Sequence, residues 1–283
     1  MPYLIAVSLL WAFSFGMIKV GLSDLDSTAV AMVRLTFALI VFLPFFRPRQ
    51  TPRVAATRFM AIGAVQFGLM YAFYIAAFRY LQAYEVAMFT IFTPIYVVLF
   101  DGALERRLDR RALGAAALAL VGAGILKWRS GISDAGLVGF FLMQGSNLCF
   151  AVGQIAYQRT RRRWHKLTDA ALFGWLYLGA IAAAGIISLA ITDWTTFRPS
   201  REQWGALVYL GVLASGLGFF GWNVGATKVN AGTLAVFNNL KIPLAVGVAL
   251  LAFGESADLL RLSLSLALML IALYLTERQP GSV

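Results

Sequence analysis

The sequence predicts an all-α integral membrane protein of ten transmembrane helices arranged as two inverted five-helix repeats. Three observations predict it. Hydrophobic residues make up 60% of the 283, and the charged residues collect in short clusters. The apolar runs between clusters have the length, roughly 20 residues, that a helix needs to cross hydrocarbon. Every second cluster is rich in arginine while the clusters between are not, and the two halves of the chain carry the same landmarks in the same order.

The ten runs are 2–21, 28–46, 59–78, 84–103, 111–127, 135–158, 168–190, 203–226, 232–253 and 261–276. The first is long enough to span, and Met1-Pro2-Tyr3 lacks the basic region of a cleavable signal. The second holds Arg34 and ends at the Arg47/Arg49 cluster, and the third follows Arg53 and Arg58. The fourth contains Pro94 and closes on Glu105; the fifth follows Arg106, Arg107, Arg110 and Arg111. The sixth carries Gln144, Asn147, Cys149 and Gln154 and runs into Arg159, Arg161, Arg162, Arg163 and Lys166. After the seventh, the eighth carries Trp222 and Asn223, and the ninth Asn238, Asn239, Lys241 and Pro243. The tenth precedes a short tail at 277–283.

With the amino terminus in the cytoplasm, the cytoplasmic loops hold 15 of the 24 lysines and arginines, Lys228 and Arg278 completing that set. The opposite face holds 6: Arg79, Lys127, Arg129, Arg198, Arg201 and Arg261. Lys19, Arg34 and Lys241 fall inside apolar runs. This excess in short loops obeys the positive-inside rule and places both termini in the cytoplasm.

Composition excludes several classes. The net charge of +11 is divided among loops beside membrane spans, which fits anionic lipid rather than nucleic acid. Cys149 and His165 are each the only residue of their type, so no disulfide framework, metal-ligand set or serine–histidine pair forms within one chain. No Gly-rich phosphate loop occurs. No metal, cofactor or catalytic residue is expected.

The repeat sets residues 71–126 against 219–274. Ala83 meets Ala231, Ala87 meets Ala235 and Phe89 meets Phe237; Pro94 then pairs with Pro243, and Glu105 with Glu255. The expected organisation is a first repeat over 1–128, a second over 134–276, and the tail. Five spans per half is an odd number, so the second half enters the membrane from the opposite side. Such inverted repeats hold a substrate near the midplane and expose it alternately by rocking. A site closed within one chain implies a monomer.

Leu9-Leu10-Trp11-Ala12-Phe13-Ser14-Phe15-Gly16-Met17-Ile18-Lys19 resembles the first helix of EamA-type proteins of the drug/metabolite transporter superfamily, with Ala12 where a Gly is frequent. Arg34 matches the Arg of that family's second helix. Phe92-Thr93-Pro94 with Leu104-Glu105 is similar to its helix-four Pro and terminal Gly-Glu, a Gly that Gly254-Glu255 restores. Trp222-Asn223-Val224-Gly225 resembles the YddG-type amino-acid exporters, whereas 237–243 is similar to other EamA-type proteins. The resemblance implies ten helices, an inverted repeat, the inner membrane of a bacterium, and export of small metabolites, with amino acids (aromatic ones included) foremost. Exporters of drugs or other organic metabolites are the alternative.

Lys241 is the sharpest candidate for substrate contact. A lysine in mid-bilayer costs about 2.5–3.5 kcal/mol on insertion scales, so it faces a cavity or a partner. It either anchors a substrate carboxylate or bonds neighbouring carbonyls, those freed by Pro243 among them. Arg34 either gates or snorkels to the outer headgroups, and Lys19 snorkels. Asn223, Asn238 and Asn239 either bind a zwitterion or tie helices together. Trp11, Phe15, Tyr71, Tyr74 and Trp222 are candidate cavity walls, and Pro94 and Pro243 candidate kinks. No carboxylate occurs at the centre of a span, which predicts substrates bearing a carboxylate and facilitated rather than strongly proton-coupled movement.

Overall fold

The computed structural model describes residues 2–104, 110–127, 134–228 and 231–277. Among the described residues ten helical spans succeed one another: α1 (Pro2–Gly21), α2 (Ser27–Phe42), α3 (Arg53–Ala77), α4 (Ala83–Leu104), α5 (Arg110–Lys127), α6 (Asp134–Arg163), α7 (Asp169–Ile191), α8 (Arg201–Ala226), α9 (Ala231–Leu251) and α10 (Leu259–Glu277). Seven of them are long and apolar enough over their described residues to cross a membrane, and α9 and α10 contribute the shorter apolar stretches Lys241–Leu251 and Leu259–Ala272. Their outward faces carry side chains such as Phe141, Ile186, Leu189 and Leu251 that suit only lipid.

Local chemistry sets the helix ends. Asp26 caps α2 by accepting from the amides of Thr28 and Ala29. Gln82 and Glu85 form a capping box at the start of α4, and Ser200 and Gln203 form one at α8. Pro44 tightens the end of α2 into a 3₁₀ turn, so this helix is shorter than the apolar run 28–46. α3 starts at Arg53, earlier than the hydropathy places it, because Pro52 at its N-cap sets the chain before a helical turn that is still polar. α6 extends to Arg163 and takes the whole arginine cluster into its last turns, where cations suit the helix dipole.

Helix packing reveals the symmetry. α1 packs on α9 and α6 on α4; α3 packs on α7 and α8 on α2; α3 meets α6 and α8 meets α1; α5 pairs with α10. Advancing every helix by five positions returns the same set of pairs. The halves also share a backbone irregularity that sequence alignment does not show. α3 contains a π-helical segment at Ala64–Leu69 and α8 one at Tyr209–Leu217. Such segments recur at functional sites, and here they occupy equivalent helices.

The two prolines act differently. α4 breaks at Thr90–Ile91, just before Pro94. Pro94 offers no N–H to the Thr90 carbonyl, and the Thr93 amide turns to that carbonyl instead, at 3.0 Å. α9 passes through Pro243 without a break.

Candidate functional site

A cavity lies between the two halves, lined from α1, α2, α3, α4, α6, α8 and α9. Its empty space, open solvent at the mouth included, is about 560 Å³. Apolar walls with a few converging polar groups are the composition of a small-molecule site.

The walls are aromatic. Trp11 packs against Phe219 at 5.1 Å and against Trp222 at 5.3 Å between ring centroids. Phe219 continues to Tyr71 at 5.7 Å and to Phe150 at 5.9 Å, and Tyr74 joins Tyr71 and Phe15. The chain of rings thus crosses from the first repeat into the second. Trp11 is fixed by its indole N–H, which donates to the Ala214 carbonyl in the π-helical segment of α8 at 2.9 Å.

The two cations that are buried among the described residues both line this cavity. Lys241 is 7% exposed, and its Nζ sits 5.2 Å from the Trp11 ring and 5.9 Å from the Trp222 ring. Arg34 is 2% exposed and does not snorkel. It turns inward, where Nη2 donates to the Tyr71 hydroxyl at 2.8 Å and to Ser215 Oγ at 3.2 Å, while its guanidinium carbon lies 4.5 Å over the Tyr71 ring. Tyr71 and Ser215 bond each other at 2.8 Å, closing a triangle of side chains from α2, α3 and α8. Mid-span depth allows either orientation of an arginine; packing against the π-helical segment selects the inward one. No Asp or Glu lines the cavity among the described residues, so its interior is positive.

The polar remainder comes from Ser14 of α1 and from α4 and α6. Asn147 Nδ2 donates to the Phe89 carbonyl at 2.8 Å, and Thr93 Oγ1 donates to Asn147 Oδ1 at 3.1 Å. Asn147 therefore spans the break in α4 and also faces the cavity.

Of the residues expected from sequence, Trp11, Phe15, Tyr71, Tyr74, Lys241 and Arg34 meet at the cavity. Trp222 supports it from behind, beside Trp11, with its indole N–H 3.4 Å from Gln154 Oε1. Asn223 is fully buried away from it: its Oδ1 accepts from Gln66 Nε2 at 3.2 Å, and its Nδ2 donates to the Phe219 carbonyl at 3.0 Å. The side chains of Asn238 and Asn239 lie outside the described residues, as does Glu105. Lys19, expected to snorkel, donates to the Phe78 carbonyl at 2.9 Å, satisfying an orphan acceptor just beyond α3.

Phe150, Phe219, Ser14, Thr90, Thr93, Met70, Met143, Ser146 and Asn147 also line the cavity, and none of them is among the candidates the sequence offers. Asn147 shares its run with Gln144 and Gln154, and its place opposite the break before Pro94 shows only in the structure. The phenylalanines give no signal in a chain with 22 of them.

Comparison with known proteins completes the assignment. The EamA-like transporter family model matches residues 1–128 and again 137–278. The chain is 40% identical over 279 residues to a probable biotin transporter of Pseudomonas aeruginosa, covering 98% of this chain and 97% of that one. It is 39% identical over 245 residues to the biotin transporter of Escherichia coli K12, covering 86% of this chain and 81% of that one. A solved crystal structure superposes with a TM-score of 0.68 at 17% identity, over 97% of this chain and 95% of the other, and supports the fold. The chain belongs to the EamA-like transporter family and is a multi-pass membrane transporter, not an enzyme.

Proposed function

We propose that this protein carries biotin across the bacterial inner membrane by alternating access, through the cavity between its two halves. The observation that carries the proposal is a positively charged, aromatic-walled cavity in a chain 40% identical over its length to a probable biotin transporter. Biotin has two parts of different chemistry, a compact ureido–thiophane bicycle and a flexible tail ending in a carboxylate. Aromatic faces accept the bicycle, and the ureido group offers hydrogen bonds to short polar side chains such as Thr93, Ser146 and Asn147. Lys241 and Arg34 give the interior the charge that favours an acid over a neutral molecule. Trp11, Phe15, Tyr71 and Tyr74 form the wall, with Trp222 behind it.

The amino-acid export expected from the YddG-type resemblance drew on amides for the zwitterion. Asn223 is engaged with Gln66 and the Phe219 carbonyl. That favours a substrate with one charged end.

Both termini are placed in the cytoplasm by the positive-inside rule, the working unit is a monomer, and movement is facilitated. Uptake of radiolabelled biotin by cells that can neither make nor import it tests the proposal. Saturable uptake that excess unlabelled biotin suppresses is the expected result. Uptake no faster than in cells without the protein would overturn it.

A further inference from the structure

Resting on that reading, we propose that the substrate carboxylate docks on Arg34, at the N–H donors that the protein leaves idle. A guanidinium carries five N–H donors. The two on Nη2 are used, one on the Tyr71 hydroxyl and one on Ser215 Oγ. Nε and Nη1 are buried and have no hydrogen-bond partner. Three donors of a permanently charged group are thus held without acceptors in a side chain only 2% exposed, at the wall of a cavity.

Burying a charge without compensation is strongly unfavourable, and the usual remedy is an acceptor or an opposite charge. Among the described residues no carboxylate pairs with Arg34. Its present neighbours are neutral hydroxyls and the face of a tyrosine ring. These hold the side chain in one orientation, with the Ser215 hydroxyl itself donating to the Leu210 carbonyl at 2.7 Å. The protein positions the guanidinium through Nη2 and offers Nε and Nη1 no acceptor of its own, an arrangement that suits an anion. A carboxylate brings several lone pairs and a full charge, and charge-assisted bonds are about twice as strong as neutral ones.

The position has a mechanical consequence. Arg34 belongs to the first half, Ser215 to the π-helical segment of the second. An acid bound at Arg34 draws on a group that bridges both halves, so occupancy bears on the seam at which they rock.

The test is equilibrium binding of radiolabelled biotin to the purified protein in lipid nanodiscs, with biotin and biotinamide as competitors. Wild type should favour the acid over the amide by at least thirtyfold. In Arg34→Gln the affinity for biotin should fall at least tenfold while that for biotinamide changes less than threefold, collapsing the preference. Arg34→Lys, which keeps the charge but has fewer donors, should fall between the two, and it decides the matter if the Gln variant does not fold. Equal competition by acid and amide in wild type would overturn the assignment. So would an undiminished preference in folded Arg34→Gln or Arg34→Lys, which marks the arginine as hydrated and structural while biotin transport stands. Absence of any biotin binding by wild type would remove the transport reading and this assignment together.

Discussion

Asn147 donates through Nδ2 to the carbonyl oxygen of Phe89 at 2.8 Å, and this bond joins α6 to the break in α4. Because Pro94 has no amide hydrogen, the Thr93 amide shifts to the Thr90 carbonyl and Phe89 is left in need of a donor. Asn147 is therefore tied to the shape of the cavity. Asn147→Ala removes the donor and leaves a buried carbonyl unsatisfied, at about 1–3 kcal/mol. The expected outcome is a lower unfolding temperature in detergent and weaker biotin binding. An unchanged melting curve would show that the break needs no clamp.

Glu255 reaches from the loop after α9 to the start of α4, where its two oxygens accept from the amides of Ala83 at 2.7 Å and Tyr84 at 3.0 Å. A carboxylate at a helix N-terminus is favoured by the helix dipole, and this one joins the two halves at one face of the membrane. Glu255→Gln loses the charge and one acceptor. Labelling of a cysteine at Tyr84 by an impermeant maleimide, in a Cys149→Ser background, should then rise severalfold. Equal labelling with and without the substitution would show that Glu255 does not hold this face closed.

Gly63 and Gly179 let α3 and α7 touch backbone to backbone. A Cβ at Gly63 would fall 1.8 Å from the Leu176 carbonyl oxygen, and one at Gly179 would fall 1.8 Å from that of Met60. Neither oxygen can retreat without moving its helix. Gly179→Ala should destabilise by at least the about 1–3 kcal/mol typical of overpacking. Gly185→Ala on the same helix, whose nearest contact would be 3.7 Å from Met32, should be tolerated. Thermal stability of the two variants side by side separates the cases.

Asp26 ties α2 to α7 and to the α3–α4 turn. It accepts from Thr192 at 2.8 Å and pairs with Arg79 at 3.4 Å. Burial pushes its carboxyl upward, but bonds from the Thr28 hydroxyl and amide, the Ala29 amide and Thr192 more than offset this and hold it below the usual 3.8. A depressed pKa means stabilisation that is complete above 3.8 and lost as pH falls through the lower folded value. Wild type and Asp26→Asn should therefore differ in melting temperature at pH 7 and at pH 5 alike, and converge only in stronger acid. Convergence already at pH 5 would contradict the assigned direction.

The fold is legible because a membrane leaves few choices: apolar length gives the spans, arginine asymmetry the orientation expected for them, and an odd count per half the inversion. Helix ends are less legible, since Pro44 and Pro52 act through backbone geometry that hydropathy averages away. At the cavity, Lys241 and Trp11 stand out because a charge and an indole in mid-span need a reason. Arg34 is half legible: its depth shows in the sequence, but its inward turn depends on Tyr71 and Ser215, 37 and 181 positions away. The π-helical segments leave no mark on composition, and Phe219 is one phenylalanine among many. Asn223 is ambiguous in the sequence for a physical reason, because an amide suits a zwitterion and a glutamine on the facing helix equally well.

Counterflow in proteoliposomes tests the central claim most directly. Vesicles holding the reconstituted protein are loaded with unlabelled biotin and diluted into trace labelled biotin, with no pH gradient or membrane potential. A carrier that exposes one site alternately must exchange, so label should accumulate transiently above its outside concentration, and this overshoot should vanish without internal biotin. Simple equilibration regardless of loading, or no biotin flux at all, would contradict the account.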